Sequence, residues 1–298
     1  MKAALIDGDN TPLYRTRRPT RAECGPQTVL EDVLCLATEL VDLGRERYGS
    51  GPRAAGVAVP GVIDEAAGAV VFAANLSWRD VPLRTRLTER LAGVPVAVGH
   101  DVRAGGLAEG RLGAGRGADR FLFVPVGTGI AGAIGIHGRV ESGAHGGAGE
   151  IGHVIVEPAG PVCNCGQRGC LETLASATAI GRRWAAAGGG PSATAADAAQ
   201  AVAEGDARAR QVWQEAVDDL ARGLVTASTL LDPHTLIVGG GLAESGETLL
   251  APLREAVYSR LTFQHPPTIV PAALGDAAGC LGAGLLAWDL LSAEVASR

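Results

Sequence analysis

Apolar positions along the chain fall into two rhythms. Short unbroken runs occur at Ala3–Ile6, Ala55–Val59, Val94–Val98, Phe121–Val126, Ile130–Ile136, Val154–Val156, Leu236–Val238 and Ile269–Val270. Runs of this length read as strands or strand cores. Between them the spacing changes to a helical one. Val29, Val33, Leu36, Ala37 and Leu40 recur at a period near 3.6 within Val29–Val41, which is one face of an amphipathic helix. Gln211–Leu231 predicts a second helix, stopped at Asp232-Pro233 because proline cannot continue it. A third is expected over residues 277–291. Alternation of this kind predicts an α/β architecture. The Ala/Gly-rich stretch Ala185–Ala199 reads as a surface loop.

With 298 residues, 47% hydrophobic and 19% charged, the chain has the composition of a globular protein with two domains and a substantial core. The net charge, 26 − 32 = −6, argues against a nucleic-acid partner held by electrostatics. No run approaches the ~20 apolar residues that span a bilayer, so no membrane partner is expected. The first residues lack the apolar core of a secretory signal, and a cytoplasmic location is expected.

Glycine changes the picture. Many of the 43 glycines cluster beside strands, in Gly127-Thr128-Gly129, in residues 143–152 and in Gly239-Gly240-Gly241. Such clusters let a backbone approach a ligand closely. A turn of N–H groups with a hydroxyl suits anionic oxygens, so Val126–Gly132 is a candidate phosphate cradle. Cysteine is clustered too: Cys163, Cys165 and Cys170 lie within eight residues, ten after His153. Three thiolates and an imidazole are what tetrahedral Zn²⁺ prefers, and a closed shell of four leaves no position for water, so this zinc would be structural. Cys24, Cys35 and Cys280 are isolated and read as small core residues. Asp101 follows the strand Val94–Val98 and opens a helix, where a carboxylate serves equally as a helix cap or as a catalytic base.

The motif Cys163-Asn-Cys165-Gly-Gln-Arg-Gly-Cys170, with Gly149-Glu150-Ile151-Gly152-His153 before it, resembles the ROK family of bacterial sugar kinases and sugar-responsive repressors. The order of motifs matches from Asp7 to about Leu291, nearest the actinobacterial glucokinase branch. The resemblance implies the two-domain actin-like ATPase fold, ribonuclease H-like, with residues 1–99 and 279–298 as a small α/β domain. Residues 100–278 would form a large one carrying the zinc loop. It implies ATP-dependent phosphorylation of a hexose, glucose first, with Mg²⁺ accompanying ATP. Asp101 would be the general base. Asn75, His100, Asp101, Glu150, His153 and Glu172 would face the sugar. Gly127, Thr128 and Gly129, with Gly239, Gly240 and Gly241, would face the nucleotide, and His153, Cys163, Cys165 and Cys170 would hold the zinc. A homo-oligomer, dimer or tetramer, is also implied.

Two departures stand out. His100 occupies a place where the family has asparagine, so an imidazole replaces an amide's paired donor and acceptor and leaves the sugar or cyclitol preference open. The family's opening D-x-G-G-T strand has no counterpart, because Lys2–Asp7 resemble the strand after it. Asp7-Gly8-Asp9-Asn10 then reads as a hairpin turn, and an edge of the small domain's sheet is expected to lie unpaired. A start site placed at an internal methionine and a genuine loss both explain the absence. The alternatives to a kinase are therefore a catalytically impaired sugar-binding protein and a sugar-responsive transcriptional regulator. Family regulators carry a helix–turn–helix segment ahead of this region, and the chain shows none.

Overall fold

A computed structural model of the chain describes residues 1–296. It divides into two compact units. The first comprises residues 1–108, 142–147 and 277–298, and the second residues 109–141 and 148–276.

In the first unit, β1 (Lys2–Ile6) and β2 (Pro12–Arg17) form an antiparallel hairpin. Its turn is the expected one: Asp7 Oδ1 accepts from the N–H groups of Asp9 at 3.0 Å and Thr11 at 2.8 Å, and Asn10 takes a positive φ of 62°, which asparagine tolerates. Next come α1 (Pro26–Tyr48), β3 (Ala55–Val59), the antiparallel trio β4 (Val62–Asp64), β5 (Ala69–Ala73) and β6 (Trp78–Val81), then α2 (Leu83–Arg90) and β7 (Val96–His100). β3 pairs in parallel with β7, while β1 pairs with β2. Among the described residues no strand joins these two pairs. Val29, Leu34, Val59, Val70, Trp78, Leu83, Leu87 and Val98 form this unit's core, each fully buried aliphatic side chain contributing roughly 1.5–3 kcal/mol.

α3 (Asp101–Leu112) begins directly at the end of β7, and the chain passes into the second unit within it. There β8 (Arg120–Pro125), β9 (Ala133–Ile136) and β10 (Arg139–Val140) precede four helices. These are α4 (Leu171–Ala175), α5 (Ala177–Trp184), α6 (Ala195–Glu204) and α7 (Ala207–Leu231). They are followed by β11 (Thr235–Gly239), α8 (Glu247–Tyr258) and β12 (Thr268–Pro271). The sheet order is β10-β9-β8-β11-β12, with β8, β11 and β12 parallel. Parallel strands are covered on both faces, which is why β8 and β11 are near-continuous apolar runs. Leu122, Val124, Leu236 and Val238 of the sheet share one core with Leu220, Leu224, Leu250 and Leu253 of α7 and α8. The chain then returns to the first unit as α9 (Ala278–Ala296).

Three expectations are corrected. Val154–Val156 is no strand, since its pairing stops at one bridge between Ile155 and Cys170. The stretch Ala185–Ala199 is only partly loop. Ala195–Ala199 begins α6, capped by Thr194 and Asp197, with Ala195 and Ala198 buried. Cys24 and Cys35 are exposed and Cys280 is half-buried, so small size did not place them in the core.

The buried carboxylate Glu109 of α3 was not anticipated. Its Oε2 accepts from the N–H groups of Ala114 at 2.9 Å and Ala273 at 3.1 Å, and its Oε1 from Leu274 at 2.8 Å. It ties the end of α3 to the segment after β12. Among the described residues no helix is long and apolar enough to cross a membrane.

Candidate active site and metal centre

The metal candidates assemble around a short loop. The turn Ile151–His153 supplies the imidazole, and Cys170 immediately precedes α4. Cys163 and Cys165 flank a tight turn in which Gly166 N–H donates to Cys163 O at 2.9 Å and Cys163 N–H to Gln167 O at 2.7 Å. His153 Nδ1 lies 3.7 Å from Cys163 Sγ, and Cys165 Sγ lies 3.6 Å from Cys170 Sγ. All four ligand atoms fall within 4.8 Å of one another.

That spacing fits a zinc ion: ligands held tetrahedrally at ~2.3 Å lie ~3.8 Å apart. The electrostatics fit as well. Burial, reinforced by the neighbouring sulfurs of Cys165 and Cys163, pushes the Cys170 thiol up to about 12. A divalent cation removes that penalty by stabilising the thiolates. Cys165 is shifted the other way, chiefly by the backbone N–H of Gln167.

His153 turns its other nitrogen toward a carboxylate, with Nε2 3.9 Å from Glu150 Oε2. An imidazole held by a metal through one nitrogen and facing a carboxylate with the other has little freedom to rotate. Glu172, two residues past Cys170, turns away from solvent toward the glycine turn. Its Oε2 accepts from Ile130 N–H at 3.1 Å, and a Cβ on Gly129 would overlap that oxygen.

The two glycine segments adjoin each other. Gly127–Gly129 follows β8, and Gly239 ends β11 with Gly240 and Gly241 just beyond it, at the carboxyl ends of neighbouring parallel strands. Val126 N–H donates to Gly239 O at 2.8 Å, and Leu242 N–H to Val126 O at 3.0 Å. Openings at the carboxyl ends of parallel strands are where α/β proteins bind ligands.

In the first unit, His100 is buried at the end of β7, and its Nε2 lies 3.6 Å from Asp101 Oδ1. Asp101 Oδ1 accepts from the next residue's N–H, Val102, at 2.8 Å, whereas a capping carboxylate accepts from the second or third. Its carboxylate is 43% exposed, open to a partner. Asn75 stands exposed on the turn Ala74–Leu76 after β5.

Sequence reasoning missed Arg103. Its buried guanidinium donates from Nε and Nη2 to Glu65 Oε1, at 3.1 and 2.9 Å, and from Nη1 to Gly146 O at 2.9 Å. It fixes the Ser142–Gly147 segment, which enters this unit between two stretches of the other, to the helix that Asp101 opens. An arginine two residues past the candidate base was the available signal.

The ROK family model matches residues 1–289. The chain belongs to the ROK family. It is 36% identical over 295 residues to the glucokinase of Thermotoga maritima, covering 94% of this chain and 91% of that one. The ROK hexokinase of Thermus thermophilus superposes with a TM-score of 0.84 at 32% identity, over 98% and 99% of the two chains. The ROK glucokinase of Streptomyces griseus, solved with glucose and AMPPNP, gives 0.80 at 30% identity over 96% and 95%. The fold of this ROK protein is the actin-like ATPase fold of those neighbours.

Proposed function

We propose that this ROK protein transfers the γ-phosphoryl group of ATP to a hydroxyl of a hexose, with glucose the first acceptor to test. The enzyme class rests on the match to ROK kinases over nearly the whole chain: it is a sugar kinase. The finer reading is supported above all by one observation. Two glycine turns are bonded to each other at the carboxyl ends of β8 and β11, and the first of them, Gly127–Gly129, is met by Glu172, which follows a candidate metal ligand by two residues.

In this reading the backbone N–H groups of Gly127–Gly129 take the phosphates, and Gly239–Gly241 lies on the nucleoside side. Asn75, His100, Glu150, His153 and Glu172 hold the sugar hydroxyls. Asp101 accepts the hydroxyl proton as the oxygen attacks phosphorus, and the products are a sugar phosphate and ADP. Carboxylate suits the task, being ionised at neutral pH and strengthening the nucleophile as the proton leaves. Mg²⁺ arriving with ATP neutralises charge on the phosphates. Zinc held by His153, Cys163, Cys165 and Cys170 fixes the His153 imidazole and carries no step of the reaction.

The test is ADP release with ATP and glucose, N-acetylhexosamines and a cyclitol as acceptors, alongside calorimetric sugar binding. Turnover with a hexose upholds the reading. Sugar binding without ADP release from any acceptor would refute it in favour of a sugar-binding protein.

A further inference from the structure

We propose that Glu172 is a positioning residue for the Gly127–Gly129 turn, coupling the phosphate side of the site to the metal centre. The phosphate role of that turn is taken from the proposed function, whereas the clamp itself stands on geometry.

The turn is gripped from two directions. On one side, Glu172 Oε2 accepts from Ile130 N–H at 3.1 Å, and Ala177 N–H donates to Gly127 O at 2.8 Å. The accepting Glu172 comes from the start of α4 and the donating Ala177 from the start of α5. On the other side Gly152 lies flat against Ile130, where any Cβ would overlap the Ile130 carbonyl oxygen. Between the grips, Gly127 N–H donates to Gly129 O at 2.9 Å and closes the turn.

Each grip is anchored next to a metal-ligand candidate. Gly152 precedes His153, and Glu172 lies two residues past Cys170. An ion held by His153 and Cys170 would therefore restrain the two segments that meet Ile130. Glu172 divides its labour: Oε2 is committed to Ile130, and Oε1 remains for a ligand hydroxyl. A carboxylate accepting from an N–H makes a charge-assisted bond, stronger than a neutral pair. Glycine at 129 leaves room for the carboxylate: a Cβ there would displace Glu172 Oε2 from its place against Ile130.

The experiment compares Glu172→Ala and Glu172→Gln in zinc-loaded protein, after metal analysis shows that both keep one zinc. Two quantities are read: exchange of the Ile130 amide hydrogen, and calorimetric affinity for a non-hydrolysable ATP analogue without sugar. Loss of one charge-assisted bond should speed Ile130 exchange about 10- to 100-fold in Glu172→Ala and weaken the nucleotide analogue about 10-fold. Glu172→Gln keeps a carbonyl that accepts from Ile130 and should stay within about threefold of the parent in both. Gly129→Ala gives a second route. The added methyl should disturb the turn strongly in the parent but much less in the Glu172→Ala background, a non-additive cycle.

Unchanged Ile130 exchange in folded Glu172→Ala, or additive effects in the cycle, would overturn the clamp. Faster exchange with unchanged nucleotide affinity would uphold the clamp and overturn the phosphate reading beneath it.

Discussion

Glu109 offers the sharpest test of how the fold holds the residues around the site. Its fully buried carboxylate accepts three backbone N–H groups, from Ala114, Ala273 and Leu274, at 2.8–3.1 Å. Two effects oppose each other on replacement. Removing a buried carboxylate relieves a desolvation penalty of several kcal/mol. The three donors, however, belong to the backbone and stay buried whatever the side chain becomes. In Glu109→Met all three lose their acceptor, at ~1–3 kcal/mol each, or roughly 3–9 kcal/mol together, comparable with the ~5–15 kcal/mol that holds a typical protein folded. Stranded donors therefore win.

Glu109→Gln is gentler. Its carbonyl can keep the Ala114 and Ala273 bonds while its NH₂ meets the Leu274 N–H, donor against donor, for a loss of about 2–4 kcal/mol. At ~2–4 °C per kcal/mol, the midpoint should fall by about 5–15 °C. Urea titration followed by tryptophan fluorescence reads this directly, because Trp184 and Trp213 lie in the core that β8 and β11 help build. A Glu109→Gln variant within about 0.5 kcal/mol of the parent, the usual range for a surface change, would refute the argument.

Asp101→Asn should lower kcat ~10²–10⁴-fold with little change in sugar affinity, and retention of more than about a tenth of turnover would take the base role from Asp101. Purified protein should carry one zinc, and a chelator should expose residues 155–169 to hydrogen exchange while β8 and α7 stay protected; absent zinc with three freely titrating thiols would end the metal assignment. Asp206 caps α7 and is held down to about 2, first by the Arg208 side chain and then by Ala209 N–H. A carboxyl depressed on folding stabilises above its ordinary range and loses that contribution as pH falls. Asp206→Asn should therefore be less stable than the parent near pH 6, the two converging as pH drops toward 2, and a pH-independent gap in melting temperature would contradict this.

What could be read from the sequence was local. β8 and β11 announced themselves because strands buried on both faces must be apolar throughout. The candidate metal set was legible because its four residues fall within eighteen of one another, with glycines at 166 and 169 that take φ of 93° and 71° and let the loop turn back on itself. The hairpin at Asp7–Asn10 was legible because Asp7 bonds the turn's own backbone and Asn10 takes its positive φ. By contrast β2, with a burial pattern that alternates half-buried and exposed, and the short strands β4 to β6 carry too little apolar signal to be seen alone. Ala185–Ala199 misled because Gly188-Gly189-Gly190-Pro191 at its centre drew attention from the alanines, which favour helix, and the Thr194–Asp197 capping box was the missed clue.

The residues that position the site were decided by the tertiary structure. Glu172 meets Ile130 across 42 residues, Arg103 meets Glu65 and Gly146 across 38 and 43, and Glu109 meets Leu274 across 165. A side chain's type says what it can bond, and local turns say which way it leaves the backbone. Which donor it meets at such distances depends on sheet order and helix packing, and those are set by the burial of the whole apolar surface, a property of no single segment.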